Sequence, residues 1–413
     1  MLRTVTSRRR AYGLVVAGTF SYTALMFVWF SLPAYLSTII TEVGLSSTQA
    51  GVLAGAVPLT YIPLALFSGL VVDRIGPGRI IGVGVVIYGL AQIGRSVAGD
   101  FPTLLATTLL IGVGATTITF GLPKLVSELF PPDQTGRPSA IYLVGASAGS
   151  ALVFAVGRPV IGPALGGWRP LFFWSGVVAV VYGLCWLAVA LWTGIDDHTS
   201  DAGDSFALES VLADLRVVLT HRDLQLVVVV GTMYLLLSHG VQGWLPTILE
   251  ARGLEPALAG QATSLFVAAY VVGILTVPEL ADRYQARTVA IVGCGAVVFV
   301  GMAGVLLGGT SPLLAVAIVV AGLGGGGISP LVRAIPPALE GIGARLTGTA
   351  VGFIFAVGEI GGFFGPMLVG VFHDVTGSFV PGLLMLSAAG IVVALAGATL
   401  HRRTESRAAV TDS

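Results

Sequence analysis

The sequence predicts an all-α integral membrane fold: twelve transmembrane helices in two pseudo-symmetric six-helix bundles. Three observations predict it. The 413 residues are 55% hydrophobic and 10% charged, with a mean hydropathy of +0.93, so a water-exposed surface could not be clothed. Apolar runs long enough to span follow one another along the whole chain. The two halves of the chain also repeat one another.

Crossing the hydrocarbon layer takes about 20 residues of helix. The runs fall near residues 12–36, 48–72, 79–98, 103–124, 138–161 and 170–192 in the first half. In the second half they fall near 223–246, 258–280, 288–308, 312–332, 346–370 and 379–400. Arg8, Arg9 and Arg10 precede a first run of spanning length, which reads as a retained helix rather than a cleaved leader. Glycine, 57 residues in all, sits inside the apolar runs, where small residues let helices approach closely. The longest polar stretch, residues 194–222, carries Asp196, Asp197, Asp201, Asp204, Glu209 and Asp214. It reads as a solvated linker between bundles at 1–193 and 223–413, and residues 206–219 have enough spaced apolar side chains for a short helix on the membrane surface.

Basic residues set the orientation, because Lys and Arg accumulate in cytoplasmic loops. With the amino terminus inside, all 21 basic residues except Arg95, Arg158, Arg169 and Arg252 fall in inside segments. Both termini and the linker are therefore expected in the cytoplasm of a multi-pass cell-membrane protein. The 21 basic and 21 acidic residues cancel, which gives nucleic acid no overall attraction. Cys185 and Cys294 both lie in apolar runs, where they read as packing residues rather than a disulfide or a metal site.

Shifting the sequence by 209 positions aligns Gly44, Leu45, Ala50, Gly51, Tyr61, Asp73 and Arg74 with Gly253, Leu254, Ala259, Gly260, Tyr270, Asp282 and Arg283. Matches of Gly, Ala and Leu come easily in this composition, but a Tyr and an Asp-Arg pair in one register do not. The stretch Gly69-Leu-Val-Val-Asp73-Arg74-Ile-Gly76-Pro-Gly-Arg79, between the second and third runs, resembles the signature loop of the major facilitator superfamily. A degenerate copy runs from Asp282 and Arg283 to Arg287. The resemblance implies a secondary transporter in which parallel repeats rock about a midplane site, with Asp73 in a cytoplasmic latch that holds neighbouring helix ends. Gly162-Pro-Ala-Leu-Gly166-Gly167 resembles the glycine-proline motif of drug-proton antiporters, except that Arg158 stands where that motif has glycine. Ile111-Gly112-Val113-Gly114 resembles another family motif whose leading arginine is replaced by Thr108. Leu122-Pro-Lys124-Leu-Val-Ser-Glu128-Leu-Phe-Pro-Pro132 and Gly358-Glu359-Ile-Gly-Gly362 look most like the cyanate and nitroimidazole permease branch.

Polar side chains at membrane depth are costly and are functional candidates by default. Glu359 is the carboxylate nearest a helix centre, and Gly358, Gly361 and Gly362 would let another helix occlude it. It is expected to carry a proton or meet a cationic group, the alternative being a structural hydrogen bond between helices. His239 and Gln242 in the seventh run are cavity-lining or structural candidates on even terms. Tyr22, Met26, Trp29 and Pro33 share one face of the first helix, which suits either a small planar solute or plain packing. Arg95 and Arg158 lie toward outer helix ends, where snorkelling to the interface is the commoner role and anion attraction the second.

The expected activity is alternating-access transport of a small solute, a small organic or inorganic anion, with protons as coupling ion. Drug or metabolite efflux by proton antiport is the alternative, and a membrane-embedded sensor the non-transport one. No metalloprotease or phosphate-loop motif is present and the five histidines are dispersed, so no enzyme, cofactor or metal site is expected. The expected partners are a small-molecule substrate and the lipid bilayer, with the chain acting as a monomer.

Overall fold

The computed structural model describes residues 8–131, 134–196 and 216–411, without the side chains of 65–70, 344–345 and 407–411. The described residues form helices and no strand. Twelve long helices follow in order: α1 (Arg8–Ala34, extended past Tyr35 by Leu36–Val43), α2 (Ser47–Ile75), α3 (Pro77–Val97), α4 (Phe101–Leu129), α5 (Gly136–Leu152, continued by π-helical turns Val153–Ile161 and by Gly162–Leu165) and α6 (Trp168–Thr193). The second half holds α7 (Arg222–Ala251), α8 (Pro256–Arg283), α9 (Arg287–Leu307), α10 (Pro312–Ala334), α11 (Gly343–Thr376) and α12 (Val380–Thr411). Among the described residues, eleven are long and apolar enough to cross a bilayer, and the 29-residue α2 completes the twelve. Most of the acidic linker stretch, residues 197–215, lies outside the described residues, and with it most of the surface helix expected at 206–219.

Local chemistry sets the helix ends. Ser46 and Gln49 form a capping box before α2: the Gln49 amide donates to Ser46 Oγ at 3.1 Å, and the Ser46 amide to Gln49 Oε1 at 3.0 Å. Asp100 caps α4 by accepting from the Thr103 amide at 2.9 Å. Prolines occupy the first turns of α3, α4, α8 and α10, where a missing N–H costs nothing.

The chain divides into two compact units, Met1–Gly44 with Ala56–Gly203, and Leu45–Gly55 with Asp204–Ser413. In the first, α3 packs against α4 and α6, and α1 against α5. In the second, α7 packs against α11 and α12, α8 against α10, and α9 against α10 and α12. Small residues make these approaches possible: a Cβ on Gly114 would sit 2.6 Å from the Gly84 carbonyl, and one on Gly295 at 2.6 Å from that of Gly390. The start of α2 belongs to the second unit, where a Cβ on Gly55 would lie 2.6 Å from the Phe363 carbonyl of α11. Two backbone positions follow the 209-residue repeat. Gly44 and Gly253 have φ of +73° and +92°, and Gly76 and Gln285 have φ of +91° and +51°.

Candidate functional site

In the second unit the packing of α11 on α7 places the central polar pair. A Cβ on Gly358 would lie 2.8 Å from Leu235 Cδ1, and Cβ atoms on Gly361 and Gly365 would strike the carbonyls of Thr232 and Leu236. This is the close approach expected of Gly358 and Gly361, and it brings Glu359 beside His239, with Nε2 to Oε2 at 3.7 Å. The two side chains are only 13% and 11% exposed, and Glu359 Oε2 has no hydrogen-bond partner among the described residues. A buried polar atom left unpaired is expensive, so the arrangement is held by packing rather than by its own bonds. Gln242, also buried, donates from Nε2 to Ser238 Oγ at 3.1 Å on its own helix. The structure thus joins two of the three polar candidates of this unit and ties the third to its own backbone turn. Trp244 Nε1 donates to the Pro366 carbonyl at 2.8 Å, a second tie between α7 and α11. Tyr270, the repeat partner of Tyr61, shares a hydrogen bond with Tyr234.

The aromatic face of α1 lies in the first unit. Tyr22 stacks on Tyr142 with centroids 6.3 Å apart. Trp29, which is buried, lies against Phe30 at 5.5 Å and Tyr61 at 6.2 Å. The Tyr61 hydroxyl meets Thr119 Oγ1 at 2.8 Å. Arg95 does not snorkel. It is 0% exposed, Nη1 donates to the Val28 carbonyl at 3.3 Å, and the guanidinium lies 5.8 Å from the Phe172 ring centre. Its Nε and Nη2 have no partner among the described residues. Neighbouring Gln92 donates to Ser31 Oγ at 3.0 Å, so α3 presents a buried polar face at this level. Arg158 is also buried, in the π-helical turns of α5. Nη1 donates to Thr38 Oγ1 at 3.1 Å, and the guanidinium stacks 4.3 Å from the Tyr35 ring centre. π-Helical turns recur at functional positions, and here they carry an arginine inward.

The signature loop draws together the ends of four helices, α2, α3, α4 and α6. Asp73 at the end of α2 pairs with Lys124 Nζ of α4 at 2.7 Å, and Lys124 lies 3.9 Å from Glu128. Asp196, just past α6, accepts from the Gly78 amide at 2.7 Å and the Arg79 amide at 2.9 Å, and it lies 3.7 Å from Arg79 Nε. Arg74 is exposed, and the surroundings of Gly69 lie outside the described residues. In the second copy Asp282 pairs with Arg287 Nε at 2.6 Å, Arg287 Nη1 donates to the Ala334 carbonyl at 3.0 Å, and Arg283 is exposed. Neither Lys124 nor Asp196 stands out as a site residue in the sequence, where Asp196 reads as one of the linker acids. The repeat itself carried a signal for both, since the same 209-residue shift takes Lys124 to Arg333 and Asp196 to Glu405.

At the opposite end of α2, Asp374 of α11 accepts from the Ser47 and Thr48 amides at 2.9 and 2.7 Å, and Ser47 Oγ meets His373 Nδ1 at 2.8 Å. A carboxylate on the first free amides of a helix is favourable through both hydrogen bonding and the helix dipole. In the first unit Glu42 accepts from Trp168 Nε1 at 2.6 Å and Arg169 Nε at 2.9 Å.

Known proteins share this architecture. The profile of the Major Facilitator Superfamily matches residues 14–366 and 243–411. An uncharacterized transporter of Bacillus subtilis (strain 168), YycB, is 28% identical over 385 residues, covering 91% of this chain and 92% of that one. The 3-(3-hydroxy-phenyl)propionate transporter of Escherichia coli (strain K12) is 29% identical over 358 residues, covering 85% and 84%. The crystal structure of a bacterial homolog of the human lysosomal transporter Spinster superposes with a TM-score of 0.75 at 16% identity, covering 95% of this chain and 97% of that one. With the profile matched along nearly its whole length, this chain belongs to the Major Facilitator Superfamily, as a multi-pass membrane transporter of small solutes.

Proposed function

We propose that this chain moves a small organic anion by alternating access and that the Glu359–His239 pair carries the coupling proton. The observation behind the reading is the pair itself: an acid and an imidazole 3.7 Å apart, nearly buried at membrane depth, with one carboxylate oxygen unbonded. An acid and a base this close titrate as a unit, so gaining or losing one proton changes the charge of the whole pair. That change is costly in a closed, dry site and cheap in one open to water, which ties protonation to conformation. The anionic substrate class rests on the relative named for a hydroxyphenyl propionate. It also rests on the similarity of Leu122–Pro132 and Gly358–Gly362 to the cyanate and nitroimidazole permease branch.

The test is transport into proteoliposomes. The wild type should accumulate a phenylpropionate under a pH gradient and leave hydrophobic amines outside. Glu359→Gln keeps size and hydrogen-bonding capacity but cannot titrate, so accumulation should vanish while substrate exchange survives. Wild-type accumulation by Glu359→Gln across the full pH range would remove the pair from the mechanism. Transport of the amines in place of the acid would replace the anion reading with drug efflux.

The same proposal places both termini and the 194–222 linker in the cytoplasm and takes the monomer as the working unit, with bundles at 1–193 and 223–413. A cysteine at Ser205, in a chain with Cys185 and Cys294 changed to serine, should resist an impermeant maleimide in intact cells and react after lysis. Labelling in intact cells would invert the topology.

A further inference from the structure

We propose that the basic pocket where α7 begins and α12 leaves the membrane holds the phosphate of an anionic phospholipid. A cavity of about 500 Å³ is lined by Arg222 of α7 and by Thr399, Arg402, Arg403 and Ser406 of α12. The α12 residues follow the three-and-four spacing of a single helical face. Arg403 is oriented by Asp223, whose carboxylate is fully buried and accepts from Nη1 at 3.1 Å. Among the described residues, neither Arg222 nor Arg402 pairs with a carboxylate. Glu405, the acid closest along α12, is 3.3 Å from His401, which in turn contacts Thr288 of α9 on the other side of the helix. Three guanidinium groups against the single carboxylate of Asp223 leave the pocket with a surplus of positive charge.

The hydroxyls do not supply the donors: Thr399 Oγ1 donates to the Leu395 carbonyl and Ser406 Oγ to that of Arg402. Recognition therefore falls to the arginines, whose planar forks suit phosphate oxygens. The positive end of the α7 dipole adds to the same field.

A free phosphate would need only this charge, but the same face of α12 continues into the apolar layer. Leu395, Ile391 and Leu384 lie along it at 63%, 41% and 51% exposure. One stripe thus runs from exposed apolar side chains to guanidinium groups, with about 10 Å of helix between Leu395 and Arg402. Basic pockets at helix ends take anionic headgroups on this principle.

Native mass spectrometry of the full chain released from phosphatidylcholine bilayers containing a minor fraction of phosphatidylglycerol tests the site. The wild type should retain one phosphatidylglycerol in clear preference to phosphatidylcholine. Arg222→Gln/Arg402→Gln should lose that preference by roughly tenfold, while Arg137→Gln, an exposed arginine outside the pocket, should keep it. Millimolar inorganic phosphate should leave the bound lipid in place. Equal retention of the two lipids by the wild type, unchanged preference in the double variant, or displacement by phosphate would each overturn the proposal. If the double variant does not purify as a folded protein, Arg402→Gln alone and the wild-type lipid preference decide.

Discussion

The two copies of the signature loop start from related sequence and the same sign of φ at the turn, yet they are fastened differently. In the first, Asp73 reaches across to Lys124 on α4, and Asp196 closes over the first turn of α3. In the second, Asp282 is bound by Arg287 five residues on. Arg333, where the repeat puts the counterpart of Lys124, instead donates to Ser329 Oγ at 2.7 Å and stacks 4.1 Å from the Phe355 ring centre. Glu405, the counterpart of Asp196, turns to His401. A duplicated chain has kept charges at equivalent positions, but only the first copy pairs the two equivalent charges with each other, Asp73 with Lys124, whereas Asp282 is tied to the adjoining first turn of α9 and Arg333 turns elsewhere. The first copy should therefore carry more of the stability and more of the conformational coupling.

The turn residue separates the copies most sharply. Gly76, with φ +91° and ψ 143°, occupies a region open almost only to glycine, and a Cβ there would run into the Asp196 carboxylate. Gly76→Ala should cost about 1–3 kcal/mol in backbone strain, with displacement of Asp196 added, and appear as a clear drop in melting temperature in detergent. Asp196→Ala leaves the backbone free but strips the Gly78 and Arg79 amides of their acceptor, at about 1–2 kcal/mol by analogy with a lost helix cap. Equal melting temperatures for wild type and both variants would show that the loop is not fastened by these contacts.

The converse change belongs to the second copy. Gln285 holds φ +51° despite having a side chain, a conformation that costs an ordinary residue about 1 kcal/mol. Its Nε2 recovers part of that by donating to the Asp282 carbonyl at 2.9 Å. Gln285→Gly should therefore be neutral to stabilising by less than about 1 kcal/mol, the opposite sign to Gly76→Ala. A destabilisation like that of Gly76→Ala would make the two turns equivalent.

Asp73→Asn removes the charge without the volume. The pair with Lys124 is more than a third exposed on both sides, so its loss is worth about 0.2–1 kcal/mol, a shift of up to about fivefold in a two-state population. Transport should fall by that order with the fold intact, and Asp282→Asn should do less. Larger loss from Asp282→Asn would place the latch in the second copy.

The fold was readable because its determinants are spread over many residues. Twelve apolar runs, the loop arginines and a duplicated Asp-Arg pair each survive local ambiguity. The Glu359–His239 pair was half readable: a carboxylate in an apolar run announces itself, but its partner 120 positions away is fixed by how Gly358 and Gly361 seat α11 on α7. Arg95 misled because hydropathy locates a residue along the membrane normal and not around its helix. Its burial beside Val28 and Phe172 follows from the packing of α3 on α1 and α6. Asp374 was hidden for a similar reason. It caps a helix more than 300 residues earlier, and no spacing rule joins the two.

The smallest effect is expected at the other end of the first unit, where Glu42 marks a further difference between the halves. Its repeat partner is Ala251, and the positions matching Trp168 and Arg169 are Gly377 and Ser378, so the contact exists in one half alone. The hydrogen bond from Trp168 and then that from Arg169 hold the Glu42 carboxyl below its ordinary value of 4.5. A depressed carboxylate contributes stability above its unfolded value and loses it as pH falls through the folded one, so the contribution should be intact above about pH 4.5 and fade below it. Because the side chain is 45% exposed, solvent keeps the pair in the range of about 0.2–1 kcal/mol. Glu42→Gln can still accept from Trp168 but has no charge for Arg169 and nothing to titrate. Melting temperatures of wild type and variant should differ slightly at neutral pH and converge in acid. A gap that persists below pH 4 would mean that Glu42 acts through packing against Trp168 and not through its charge.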